Sequence, residues 1–191
     1  LDTVSALIGR AERTLGASLA RLHDPGLRAA WQSWVDQTVA ETKGGRTAVL
    51  VEKLRRRCVV VQNRRVIARY EADFGRNGLA DKLHAGDGAT PEGRYYVKAK
   101  NDTSRYHKAL LIDYPNASDL AAFNKAKRTG RVPRGRGPGG LIEIHGSGGR
   151  QADWTEGCIA LRNADMDELF RKVPVLVLLL IAILSISAAG E

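Results

Sequence analysis

Two residues in this chain have the type and setting for chemistry on a carbonyl: Cys158 and His145. His145 closes the apolar run Leu141-Ile-Glu-Ile-His145 and precedes the flexible run Gly146-Ser147-Gly148-Gly149. A histidine at a strand end before glycines is placed to face an open site. Cys158 follows Thr155-Glu156-Gly157 and precedes the apolar Ile159-Ala160-Leu161, at a junction of loop and strand. Gly157 allows the backbone there to come close to a substrate. An imidazole can take a thiol's proton or hold the thiolate as an ion pair, and amides near Gly157 and Cys158 could stabilise an oxyanion. The spacing alone also fits an inert buried thiol beside an unrelated histidine. No metal-ligand spacing is present, because His145 has no histidine or carboxylate at i+4 and the cysteines lie far apart. There is no phosphate-cradling loop: Gly135-Arg-Gly-Pro-Gly-Gly140 lacks a strand-to-helix setting. No cofactor is expected.

These residues need a scaffold, and 191 residues suffice for one domain plus an addition. The apolar fraction of 43% and charged fraction of 27% exclude a disordered, collagenous or wholly membrane-embedded chain. Apolar spacing predicts a helix over Thr3–Leu22, a break at Asp24-Pro25-Gly26 and a second helix over Leu27–Thr42. Strands are predicted at Thr47–Glu52, Cys58–Gln62, Val66–Tyr70, Arg94–Lys100, Leu110–Tyr114 and Leu141–His145, with Asn63-Arg64 as a hairpin turn. Short helices are predicted over Ser118–Lys127 and Asn163–Phe170, capped by Ser118 and Asn163. The fold class is therefore α+β, mainly β, preceded by a helical segment. Three parts are expected: a helical appendage at 1–46, a catalytic domain at 47–174 and an apolar tail at 175–191.

The tail can be read in two ways. Val173 to Ala189 is an almost wholly apolar run of 17 residues, short of the ~20 that a spanning helix needs. It fits a membrane anchor or a buried final strand that overruns. The segment from Lys125 to Gly140 carries six basic residues and no acid. It is expected as an irregular loop, whether solvated, a lid over the site or a contact for polyanions. The chain opens on Leu1 rather than Met, which predicts that the true N-terminus lies upstream, together with any signal peptide or anchor.

The wording around the two residues is more specific than their spacing. Ile144-His145-Gly146 and Trp154-Thr155-Glu156-Gly157-Cys158-Ile159 resemble the signature of the L,D-transpeptidase catalytic domain (YkuD-type). Gly88-Ala-Thr-Pro-Glu-Gly-Arg-Tyr95 resembles that family's Thr-Pro-x-Gly-x-Tyr segment. Ser104-Arg-Tyr-His-Lys-Ala-Leu110 and Tyr114-Pro-Asn-Ala-Ser118 resemble a subgroup with murein transpeptidase-like proteins and the amidase acting on lipoprotein-linked peptidoglycan. The likeness runs from about Thr47 to Pro174. It implies a mixed β-sandwich or barrel, with Cys158 as nucleophile and His145 as base. It assigns Gly146 to orient the imidazole, Gly157 and Cys158 to supply oxyanion amides, and Thr155 to the Ser/Thr of the motif. Tyr106, His107 and Arg162 are candidates for substrate contact. Ala160 stands where many members have Arg, Glu156 where His or Lys is frequent, and the apolar tail where the closing strand is expected.

The activity this implies is attack of the Cys158 thiolate on a diaminopimelate carbonyl of a peptidoglycan stem peptide. An acyl-enzyme would pass to an amine acceptor, or to water in a carboxypeptidase or amidase. The implied location is the cell envelope, periplasm or wall. A wall-linked lipoprotein is a further possible partner. The alternatives are a wall-binding module without chemistry and a nucleic-acid binder resting only on the net charge of +9 and the basic loop. His84 and His107 read as exposed or structural, His23 as a helix-end residue, and Cys58 as a small core residue. A Cys58–Cys158 bridge would inactivate the enzyme. Asp153 and Glu156 beside the thiol would raise its pKa.

Overall fold

The computed structural model describes residues 2–183. Helix α1 spans Asp2–His23 and α2 spans Pro25–Ala40. The break between them follows from Asp24, whose side chain accepts from the Leu27 amide at 2.9 Å while Pro25 occupies the first turn. A 3-10 turn at Lys43–Gly45 leads to strands β1 (Thr47–Glu52), β2 (Arg57–Gln62) and β3 (Arg65–Glu71). Asn63 and Arg64 between β2 and β3 both take positive φ, as a tight hairpin demands. There follow β4 (Gly93–Asn101), β5 (Ala109–Ile112), α3 (Ala117–Arg128), β6 (Glu143–His145), β7 (Ile159–Ala160), α4 (Asn163–Lys172) and β8 (Leu178–Ala182).

The strands form one sheet in the order β3-β2-β1-β8-β4-β5-β6-β7. Asp73, just past β3, bridges antiparallel to Ala160 in β7, and Gly75 bridges to Thr155. The sheet therefore curls until its two ends meet. This mixed, strand-rich fold, with four helices among the described residues, agrees with the expected α+β class.

Period-two alternation divides the middle strands between two cores. Val49 and Val51 of β1, Cys58 and Val60 of β2, and Leu179 and Ile181 of β8 point into the curl. Ala48, Leu50, Val59, Val61, Leu178 and Leu180 point the other way, where Trp31 and Val35 of α2 cover them. The helical segment is thus packed against the sheet.

The apolar C-terminal stretch is corrected by this topology. Leu178–Ala182 is the closing strand: it pairs parallel with β1 and antiparallel with β4, in the middle of the sheet. Its run is apolar because both of its faces are buried, which removes any alternation. Among the described residues no helix is long and apolar enough to cross a membrane. Residues 184–191 lie outside the described residues.

Three local expectations also change. The cap of α3 is Asn116, in a reciprocal box with Asp119, and Ser118 lies inside the helix. Asn163 does not cap α4: Arg162 holds that position without a side-chain bond, while Asn163 Oδ1 accepts from the Ser147 amide at 2.7 Å. Strand β6 starts at Glu143, because Leu141 takes φ +54° and is exposed. The basic segment is helical to Arg128 and then an anchored loop. The Ala85 amide donates to Gly137 and the Tyr114 hydroxyl to Pro138, while Val132 packs on Phe123 and Ala126.

Candidate active site

Strand β6 is three residues long, yet its alternation sets up the site. Ile144 is fully buried in the core, so Glu143 and His145 share the opposite face. The chain turns at Gly146, where there is no room for a side chain: a Cβ would stand 2.6 Å from the Tyr106 carbonyl and from Asn163 Oδ1. This turn brings the Gly146 carbonyl to 2.7 Å from His145 Nδ1. A carbonyl only accepts, so Nδ1 carries the proton and Nε2 is the basic nitrogen.

The second part is the turn from Thr155 to Cys158. The amides of Trp154 and Thr155 both donate to the Phe74 carbonyl at 3.0 Å. The Thr155 hydroxyl donates to the Cys158 carbonyl at 2.7 Å and accepts from the Gly157 amide at 3.1 Å. The Gly157 amide, expected to be an oxyanion donor, is thus engaged within the turn. Gly157 sits at φ +132°, and a Cβ there would meet the Ala89 carbonyl at 2.6 Å. Cys158 Sγ points to the Leu141 carbonyl, 3.6 Å away.

Cys158 and His145 line one cavity of about 580 Å³, with Tyr106, Leu141, Glu143, Trp154, Thr155, Glu156 and Arg105. The rings are packed together. Tyr106 stacks on His145 with centroids 4.5 Å apart, and Trp154 meets both edge-on at 6.2 and 5.9 Å. Arg105 lies over Tyr106 at 4.6 Å and Arg150 over Trp154 at 3.8 Å. Asp73 fixes this wall from behind: its Oδ2 accepts from the Arg150 amide at 2.9 Å and from Trp154 Nε1 at 3.3 Å.

Burial favours the neutral form of both side chains. Burial pushes the Cys158 thiol up to about 11; a backbone hydrogen bond at Glu143 opposes this, the Glu143 carboxylate adds to it and Lys82 opposes it. Burial likewise lowers the His145 imidazole, helped by Arg105 and Arg150 and opposed by the Gly146 carbonyl. Lys82 Nζ is held by Asp87 at 2.8 Å and lies 3.4 Å from the Glu156 carbonyl.

Other candidates lie elsewhere. His107 Nε2 faces Asp167 at 2.8 Å, Arg162 pairs with Asp165 at 2.8 Å, and neither lines the cavity. The His84 ring sits against the Ala85 carbonyl. Glu156 is paired with Arg76 at 2.6 Å. Cys58 is sealed in β2 as a free thiol, so no bridge joins it to Cys158. Among the described residues no group of histidine, cysteine and carboxylate side chains is disposed to hold a metal.

Sequence reasoning missed Trp154, Arg105, Arg150, Asp73 and Glu143 as parts of the site. Glu143 was within reach, since a residue two before His145 on a strand shares its face. Asp73 gave no signal, because its role arises only where the curl meets itself.

Comparison with known proteins adds a family. A sequence profile for the L,D-transpeptidase catalytic domain (YkuD) matches residues 46–179. The chain is 34% identical over 98 residues to YafK of Escherichia coli strain K12, provisionally named an L,D-transpeptidase; the match covers 50% of this chain and 32% of that protein. This chain thus spans about a third of that curated relative. Among solved structures it is similar to Pgp2, the helical cell shape determining protein of Campylobacter jejuni. That likeness has a TM-score of 0.53 and 25% identity, over 76% of this chain and 54% of that one. Bd1075 of Bdellovibrio bacteriovorus has the same fold, with a TM-score of 0.52 and 24% identity over 73% of this chain and 48% of that one.

Proposed function

The chain belongs to the L,D-transpeptidase catalytic domain family, and from that premise we propose that it is a cysteine acyltransferase acting on peptidoglycan stem peptides. The observation that carries this reading is the shared cavity of Cys158 and His145, with Nδ1 of the imidazole on the Gly146 carbonyl.

His145 Nε2 takes the thiol proton as Sγ attacks the carbonyl carbon of the stem's diaminopimelate residue. The tetrahedral oxyanion forms beside the Cys158 turn, and we assign the Cys158 amide as its donor. Collapse breaks the peptide bond; the imidazolium protonates the departing D-alanine amine and a thioester remains. An acceptor amine then attacks the thioester, His145 takes its proton, and the thiol is regenerated. Water in place of the amine gives the hydrolytic form of the same cycle, a carboxypeptidase or an amidase on lipoprotein-linked stems. Burial that favours thiol and neutral imidazole suits this scheme, since the proton moves during attack.

The family's chemistry supports an envelope location, and the likeness to a cell shape determining protein supports a part in shaping the wall. The test is incubation with purified disaccharide tetrapeptide, the protein beside its Cys158→Ala form, with products read by mass spectrometry. We expect loss of D-alanine with a new dimer, reduced by about a thousandfold or more in Cys158→Ala. Full activity in Cys158→Ala overturns the assignment.

A further inference from the structure

We propose that Glu143 is a specificity-determining residue that reads an ammonium group carried by the stem peptide beside the scissile carbonyl. The inference rests on the acyl-transfer reading above and adds the residue that selects the substrate.

Glu143 is the acid in the cavity without an ion-pair or hydrogen-bond partner among the described residues. Glu156, on the same wall, is matched by Arg76. Asp73, behind it, accepts from Arg150 and Trp154. Glu143 is half-buried, and burial raises its pKa while the field of Arg105 only partly offsets this. Arg105 forms no ion pair with it, because its guanidinium lies over the Tyr106 ring with Nη2 donating to the Tyr106 hydroxyl at 2.5 Å. A half-buried carboxylate that holds no protein cation is a place where a ligand cation of fitting size gains an ion pair.

The cation must come from the ligand. Strand alternation sets Glu143 on the face of His145, and its charge raises the Cys158 thiol. A group bound at Glu143 therefore sits next to the carbonyl that Sγ attacks. A primary ammonium carries N–H donors that a carboxylate accepts, and a stem peptide built on a diamino acid carries such a group. Its arrival offsets the carboxylate's share of that rise, which is smaller than the share of burial, so docking of the right peptide and readiness of the nucleophile are coupled. A peptide without the ammonium gains neither the ion pair nor the shift in the thiol.

The test uses the full chain in a Cys158→Ala background, where nothing turns over, and titrates two tetrapeptides by calorimetry. One has the free side-chain amine and the other has that amine acetylated. We expect the free amine to bind about tenfold tighter or more, as charge-assisted hydrogen bonds provide. In Glu143→Gln/Cys158→Ala the ratio should fall to within about threefold, with the acetylated peptide little changed. With Cys158 intact, Glu143→Gln should also speed alkylation by neutral iodoacetamide, because the thiol pKa falls. Equal binding of the two peptides, no binding of either, or a ratio that survives Glu143→Gln overturns the inference. The outcomes separate the two readings. Discrimination by the Cys158→Ala protein without turnover by the parent removes the acyl-transfer reading and leaves this one. Turnover without discrimination does the reverse.

Discussion

The two ends of the sheet are built by different means. At one end β2 and β1 run in regular ladders into the central β8, and the residues of these strands alternate between two apolar cores, one closed by α2. At the other, β6 and β7 are three and two residues long. Their loops hold Leu141, Ser147, Gly149, Gln151 and Gly157 at positive φ. Order there comes from polar bonds between distant parts of the chain, such as Trp154 to Asp73 and the Leu161 amide to the His145 carbonyl. Area burial supplies stability at the first end and leaves little freedom to hold a reactive group. Directed hydrogen bonds and ring contacts place groups at the second end, at some cost in desolvation.

If the ends are separable, damage to the first should change stability alone. Trp31 is fully buried against the sheet. Trp31→Ala should cost about 3–5 kcal/mol, read from urea midpoints, with unchanged turnover per folded molecule. A catalytic loss beyond the unfolded fraction would break the separation. The two cysteines sharpen it. Burial pushes Cys58 up to about 12 and Cys158 up to about 11, but only Cys158 opens to a cavity. Iodoacetamide at pH 8 should modify Cys158 alone in the folded protein, roughly a hundredfold more slowly than an unperturbed thiol. A thiol with a raised pKa gains thiolate about tenfold per pH unit, so the rate should climb with pH until about 11. A fast, pH-independent rate at neutrality would mean an ion pair in place of the neutral couple.

Damage to the second end should do the opposite. Asp73→Ala orphans Trp154 Nε1 and the Arg150 amide, and loosens the wall behind His145. We expect kcat/KM to fall about 10- to 100-fold, with the urea midpoint changed far less. Asp73→Asn, which keeps an acceptor oxygen, should recover part of the loss. Asp73 Oδ1 also lies 3.4 Å from Arg56 Nη2, and equal losses in both variants would make Asp73 a charge partner of Arg56 rather than a positioning residue.

The first end was the more legible in sequence. The hairpin of β2 and β3 carries its signals within a few residues: β-branched strands and the Asn63-Arg64 turn. Cys158 and His145 could be singled out because glycines and apolar runs flank each of them. Strand β8 was ambiguous for a physical reason, since two buried faces give the same apolar run as a membrane segment. The cap at Asn116 was missed in favour of Ser118 two residues on, within the error that short polar runs allow. Asp73, Trp154 and Arg150 could not be linked in advance, because their contact is made by the closure of the curl and spans 77 residues or more.

One contact joins the helical segment to the loops under the site, and it gives the mildest test. Arg21 of α1 pairs with Glu92 at 2.7 Å, and Glu92 also holds the buried Lys53 at 3.0 Å. Lys53 in turn donates to the Ala80 and Thr90 carbonyls at 2.5 and 2.9 Å, and Ala89, next to Thr90, abuts Gly157. Arg21 is partly exposed, and Glu92 keeps Lys53 when Arg21 is lost. Arg21→Ala should therefore lower stability by less than about 1 kcal/mol, and leave turnover of the tetrapeptide unchanged. A clear fall in kcat with the urea midpoint intact would place α1 among the elements that position Cys158. The boundary between the two ends would then run through the helical segment instead of beside it.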